Sequence, residues 1–120
     1  MYYCEILNDG RGSMRLYKYK DMEYKICEIK KGMARGGDVH NYAEQYDLVL
    51  YGKIKFIKKE NNIDKIQILV KNDFIEIKRG IPHVFIALED SLLIEWRNGP
   101  FERKIYEPYR KLCEGINDSN

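Results

Sequence analysis

Short runs rich in Ile, Val, Tyr and Phe, many of them alternating with Lys, Glu or Asp, recur along the chain between turn signals. A period of two sends successive side chains to opposite faces, so each run reads as a strand with one buried and one solvated face. The pattern predicts strands over 14–19, 23–30, 38–42, 46–51, 53–59, 65–70, 73–77, 82–88 and 91–97. Turns are marked by Asn8-Asp9-Gly10, Gly36-Gly37, Gly52, Asn61-Asn62, Lys71-Asn72-Asp73, Gly80 and Glu89-Asp90-Ser91. Many short strands at regular spacing predict an all-β domain, and closure into a small barrel is the arrangement that best protects strand edges.

The tail departs from the period. Between Glu107 and Glu114, Pro108 suits a first helical position and Gly115 suits a stop, which predicts one short C-terminal helix. The aromatic and basic segments Trp96–Glu102 and Tyr106–Lys111 either fold back over the barrel or mediate contact with a second copy; a homodimer is the expectation.

Length and charge narrow the function. At 120 residues the chain fits one domain, 1–120. Its formal charge is +2, and the Lys-x-Lys alternations (Lys18 and Lys20, Lys53 and Lys55) describe solvated strand faces, so no nucleic-acid partner is expected. The three cysteines are widely spaced and odd in number, which fits reduced thiols in a cytoplasmic protein. No apolar run approaches the ~18 residues of a membrane span, so no membrane partner is expected either.

The candidate chemistry gathers at the two histidines. His40 ends Arg35-Gly36-Gly37-Asp38-Val39-His40, and His83 lies in Gly80-Ile81-Pro82-His83-Val84-Phe85. Imidazole serves near neutral pH as acid, base or metal ligand. On strands of period two, Asp38, His40 and Tyr42 share one face, Gln45, Asp47, Val49 and Tyr51 the next, and His83, Phe85 and Ala87 a third. A barrel would bring these faces together, with a register slip of one residue enough to turn any of them outward.

These segments resemble the cupin superfamily. Gly32 to Gly52 resembles the first cupin motif, Gly-x5-His-x-His-x3 or 4-Glu-x6-Gly, with Asp38 at the first His position, His40 at the second and Gln45 at the Glu position. Asn72 to Phe85 resembles the second motif, Gly-Asp-x4-Pro-x-Gly-x-Pro-His-x-Phe, with Lys78 in place of the first Pro. The resemblance implies a double-stranded β-helix, or jelly-roll barrel, with a short C-terminal helix.

Arg35 to His40 followed by Glu44-Gln45 is most similar to the Arg-Gly-x-His-Ala-His…Glu/Gln-Gln signature of nucleotide-sugar 3,4-ketoisomerases. That resemblance implies proton transfer between adjacent sugar carbons through an enediol, without a cofactor, on a thymidine-diphosphate 4-keto-6-deoxyhexose. Position by position, the proton carriers become Asp38 and His40. His83 would polarise the enediolate, Tyr42 or Tyr51 would donate a phenolic proton, and Arg35 and Gln45 would bind substrate. Two alternatives stand beside this reading. Asp38, His40 and His83, with Gln45 as a weak fourth ligand, could hold a divalent metal (Fe, Zn, Mn or Ni), or the domain could be a non-catalytic small-molecule binder.

Overall fold

The computed structural model describes residues 2–20, 22–100 and 102–119, the side chains of residues 2–5 excepted. Among them run eleven strands and one helix: β1 (Tyr2–Asp9), β2 (Gly12–Tyr19), β3 (Met22–Ile29), β4 (Ala34–Val39), β5 (Gln45–Tyr51), β6 (Lys53–Glu60), β7 (Ile63–Val70), β8 (Phe74–Ile77), β9 (His83–Ala87), β10 (Ser91–Arg97), β11 (Lys104–Ile105) and α1 (Glu107–Asp118). They form two antiparallel sheets, β1-β2-β3-β10-β5-β8 and β11-β4-β9-β6-β7. The fold is all-β with a short C-terminal helix.

The alternating pattern explains the core. Cys27, Ile29, Val49, Ile54, Phe56, Leu69, Ile77, Phe85, Ala87 and Leu93 point between the sheets and form one apolar cluster. The outer face of the second sheet is covered by α1, whose Tyr109 and Cys113 pack on Ala34, Ile57 and Val84. Asn117 fastens the helix by accepting from the Ala34 N–H at 2.7 Å and donating to the Ala34 carbonyl at 3.0 Å. Farther up the helix, the Tyr109 hydroxyl donates to Asp64 on β7.

Several elements differ from the sequence reading. β1 was not anticipated; it pairs with β2 from Tyr2↔Tyr19 to Asp9↔Gly12 in a hairpin whose tip is the expected turn near Gly10. The strand expected over 38–42 runs instead over Ala34–Val39. Gly36 and Gly37, read as a turn, are a bulge inside that strand, with φ of 109° and 83° and a register shift between Gly36 and Asp38. Gly115 does not stop the helix, which continues to Asp118. Carrying on for one more turn is what places Asn117 on the edge of β4.

Cys27 and Cys113 are buried and unbridged, while the side chain of Cys4 lies outside the described residues. No described helix is long and apolar enough to cross a membrane.

Candidate functional site

A cavity of about 190 Å³ opens between the sheets, and its wall includes Asp38, His40, Gln45 and His83. The glycine bulge turns the first two toward it. Counted by period two from the inward Arg35, Asp38 and His40 would point outward; the extra residue at Gly37 reverses that phase. His83 arrives by simpler means, as the inward neighbour of Phe85 and Ala87 on β9 and the cross-strand partner of Asp38. A 2.7 Å hydrogen bond from the Gly80 N–H to the His40 carbonyl ties the two histidine segments together.

Both imidazoles are buried, at 4% exposure for His40 and 2% for His83, and their ring centroids lie 5.5 Å apart. Backbone carbonyls orient each ring through Nδ1, with Glu102 O 2.6 Å from His40 and Ile81 O 3.0 Å from His83. A carbonyl can only accept, so in the neutral rings the proton sits on Nδ1 and Nε2 is the basic nitrogen. Burial lowers both pKa values from the ordinary imidazole range. The carbonyl bond works against that shift in each case, and a neighbouring positive charge adds to it: Arg97 for His40, a protonated His40 for His83. The Arg97 guanidinium, 3.3 Å from His40 Nε2, fits the neutral form because it can donate to the ring lone pair.

Asp38 is committed elsewhere. Its Oδ1 accepts from Arg110 of α1 at 2.5 Å, and its Oδ2 lies 4.0 Å from Arg103. Gln45 is buried, and its Nε2 donates at 2.8 Å to both Asp47 and Glu95. Glu44, its neighbour on the opposite face, pairs outside with Arg79 at 2.6 Å. Arg35 borders the cavity with its guanidinium bound to the backbone, donating to the Gly12 carbonyl at 2.9 Å and the Glu28 carbonyl at 3.3 Å.

The two tyrosines are not at the site. Tyr42 follows the end of β4 and is 65% exposed. Tyr51 is 46% exposed because the β5–β10 register skips Leu50, pairing Val49 with Leu93 but Tyr51 with Leu92, which sends Tyr51 to the outer side.

Sequence reasoning missed the charged floor of the cavity. Lys25, Glu95 and Asp47 form one cross-strand row over β3, β10 and β5, and Arg97 stands opposite Gln45 in the next. Two carboxyls facing each other across a sheet disfavour double ionisation. Burial and the neighbouring Glu95 charge push Asp47 well up. Burial also acts to raise Glu95, but Arg97, Lys25 and a hydrogen bond from Asp47 outweigh it and hold Glu95 low. Asp47 therefore carries the proton of the pair. That proton is then available for the hydrogen bond from Asp47 to Glu95, while Asp47 Oδ1 receives no donor among the described residues. The signal for this floor was the alternation Leu93-x-Glu95-x-Arg97, inward-facing once the phase of β10 is fixed by Leu93.

The metal reading can be tested against this donor set. Among the described residues, no group of three or more His, Cys, Asp or Glu side chains is disposed to hold a metal ion. Asp38 is engaged by Arg110, and the Arg97 guanidinium stands 3.4 Å from the Gln45 amide oxygen and 3.3 Å from His40 Nε2, the atoms a metal would take. As arranged, the four residues Asp38, His40, Gln45 and His83 do not fit a metal.

No family model matches the chain, and no curated protein does. Solved structures do. The capsular polysaccharide assembling protein CapF from Staphylococcus aureus is 25% identical, with a TM-score of 0.70 over 85% of this chain and 30% of its own. A mutant of Bacillus subtilis oxalate decarboxylase OxdC is 17% identical, with a TM-score of 0.72 over 85% of this chain and 30% of that one. The chain is a cupin in fold. Fe(II)-HppE is also similar, at 15% identity and a TM-score of 0.61, over 78% of this chain and 55% of that one. The chain spans about a third of the length of the CapF structures. The two segments read as cupin motifs both border the cavity of this cupin, and the departures from the motif, Asp38 and Gln45, are the positions held by Arg110 and by the carboxyl pair.

Proposed function

We propose that this cupin binds a sugar carried on a diphosphate and moves a proton between adjacent carbons of its keto form, as a sugar isomerase or epimerase. The observation that carries the reading is the pair of buried, neutral imidazoles 5.5 Å apart, facing a cavity bordered by arginines. One basic Nε2 takes the proton alpha to the carbonyl, and the C–H electron pair passes into an enediolate. The enediolate oxygen takes up the proton that the neighbouring hydroxyl releases, and as the carbonyl forms on that neighbouring carbon a proton delivered to the former carbonyl carbon completes the shift. Two rings this close can divide the roles of base and acid.

The surrounding charges support an anionic substrate. Arg11, Lys25, Arg35, Arg97, Arg103 and Arg110 border the cavity against two carboxylates, Asp38 and Glu95. Planar guanidinium groups suit phosphate oxygens. Arg103 and Arg110 are the best placed of these, because their partner Asp38 is itself at the cavity wall and a diphosphate can share or replace it. Arg35 is held by backbone carbonyls and supports the wall.

The test is solvent deuterium exchange, followed by NMR, into a thymidine-diphosphate 4-keto-6-deoxyhexose and related nucleotide sugars. Incorporation next to the carbonyl is expected, falling at least ~100-fold in His40→Ala and His83→Ala. No incorporation across the panel overturns the catalytic reading and leaves a binding role. Thermal stabilisation by iron, zinc, manganese or nickel that disappears in His83→Ala, with no response to nucleotide sugars, establishes the metal-binding reading instead.

A further inference from the structure

We propose that the outer face of the six-stranded sheet is the surface on which two copies of this chain associate. The inner face of this sheet builds the core and the cavity, so its outer face should be polar. Its centre is not. Tyr24 and Ile26 on β3, Ile94 and Trp96 on β10, and Tyr46 and Leu48 on β5 occupy two adjacent cross-strand rows without a charge between them. Phe74 on β8 continues the apolar surface at 55% exposure.

The rings lie in contact with one another. Tyr46, Trp96 and Phe74 form a mutual cluster, with ring centroids 5.8 Å apart for Tyr46 and Trp96, 6.1 Å for Tyr46 and Phe74 and 5.9 Å for Phe74 and Trp96, while Tyr24 meets Trp96 at 6.4 Å. A contiguous, partly exposed apolar patch of this kind marks an interaction surface. Aromatic side chains are also the residues enriched where protein surfaces meet.

Charge identifies the occupant as a second copy. The apolar centre is flanked by charges of opposite sign, Arg15 on β2 at one side and Glu76 on β8 at the other, both exposed and both on the outer face. Within the six-stranded sheet β2 and β8 each stand two strands from β10, with β1 lying beyond β2. A two-fold axis along β10 therefore lays β2 of one copy over β8 of the other, with Trp96 of both copies at the centre. Arg15 is level with Phe74, and Glu76 is two residues further along the strand. That offset is about 7 Å, within the span of an arginine side chain. The contact is isologous: each copy offers the same neutral aromatic centre and both of the flanking charges.

The experiment is sedimentation equilibrium of the intact chain up to about 100 μM, a range that detects any dimer of micromolar affinity. A dimer is expected for the wild type. Phe74→Glu, at a half-exposed position that leaves the core intact, is expected to give a monomer with an unchanged circular dichroism spectrum. Arg15→Glu and Glu76→Arg are each expected to weaken association about tenfold or more by facing like charges, and the double reversal to restore it. A wild type monomeric at every concentration overturns the proposal and leaves the face to a different protein. A dimer untouched by Phe74→Glu, or single reversals that the double reversal does not rescue, also overturns it.

Discussion

Asp38 and Arg110 are joined by a 2.5 Å ion pair that links the bulged strand β4 at the cavity wall to the C-terminal helix. Half-burial makes this pair worth more than one on the open surface, since Arg110 Nε is buried without an acceptor and removing Asp38 leaves the guanidinium poorly satisfied. Asp38→Ala is expected to destabilise the protein by about 1–2 kcal/mol, with Arg103 compensating in part. A double-mutant cycle with Arg110→Ala in denaturant unfolding measures the coupling; a value near zero would show that helix and strand are held by their apolar contacts alone.

Gly37 makes the same junction possible by having no side chain. Its φ is 83°, and a Cβ built there would lie 2.7 Å from the Arg110 Cα and 2.8 Å from the Arg110 nitrogen. Backbone cannot yield as a side-chain tip does, so Gly37→Ala has to move the helix or unwind the bulge. A loss of about 3 kcal/mol is expected, combining a disfavoured conformation with a steric overlap. Hydrogen exchange gives the diagnostic pattern, faster in α1 and β4 than in β10. Uniform protection equal to wild type would contradict the argument.

How much of this was legible in the chain varied with how local each feature is. Strand 91–97 could be read to the residue because Leu93 and its neighbours alternate cleanly between turns, and Pro108 announced the helix. The hairpin partner β1 was missed, and the phase of β4 was concealed by two glycines that read equally well as a turn. A strict period of two places Tyr51 on the same face as Val49, and a bulge near Leu50 interrupts that period. Least legible was the Asp47–Glu95 floor, since it depends on which residue of β5 faces which residue of β10, a long-range register that no stretch of sequence states.

The histidines set an acid limit on stability. With burial holding both folded pKa values below the ordinary 6.5, the unfolded chain binds more protons than the folded one once the pH drops below that value. Stability contributed by the neutral rings is complete above about pH 6.5 and is lost as pH falls through the folded values. Proton NMR titration should place both imidazoles below 6.5. His83→Gln should flatten the slope of melting temperature between pH 5 and 6.5, and an unaltered slope would show that other groups set it.

Asp47 acts in the opposite direction and allows a stabilising substitution. Its folded pKa lies well above the ordinary carboxyl value of 3.8, so above that value the folded protein holds a proton that the unfolded chain releases. Stability is then lost as pH rises toward the folded pKa. Asn is nearly the same size, is neutral at every pH, and presents an amide N–H where Asp47 needs its proton to donate to Glu95. Asp47→Asn should therefore remove the pH-dependent penalty while keeping the hydrogen bond. The expected gain is about 1 kcal/mol at neutral pH, larger at pH 8 than at pH 5, because a buried hydrogen bond is retained and a buried titration is removed. Melting curves of both proteins from pH 5 to 8 provide the measurement. Equal destabilisation by Asn at all pH values would mean that Asp47 is ionised in the folded state and bound to a donor, and the shared-proton description of the Asp47–Glu95 pair would have to be abandoned.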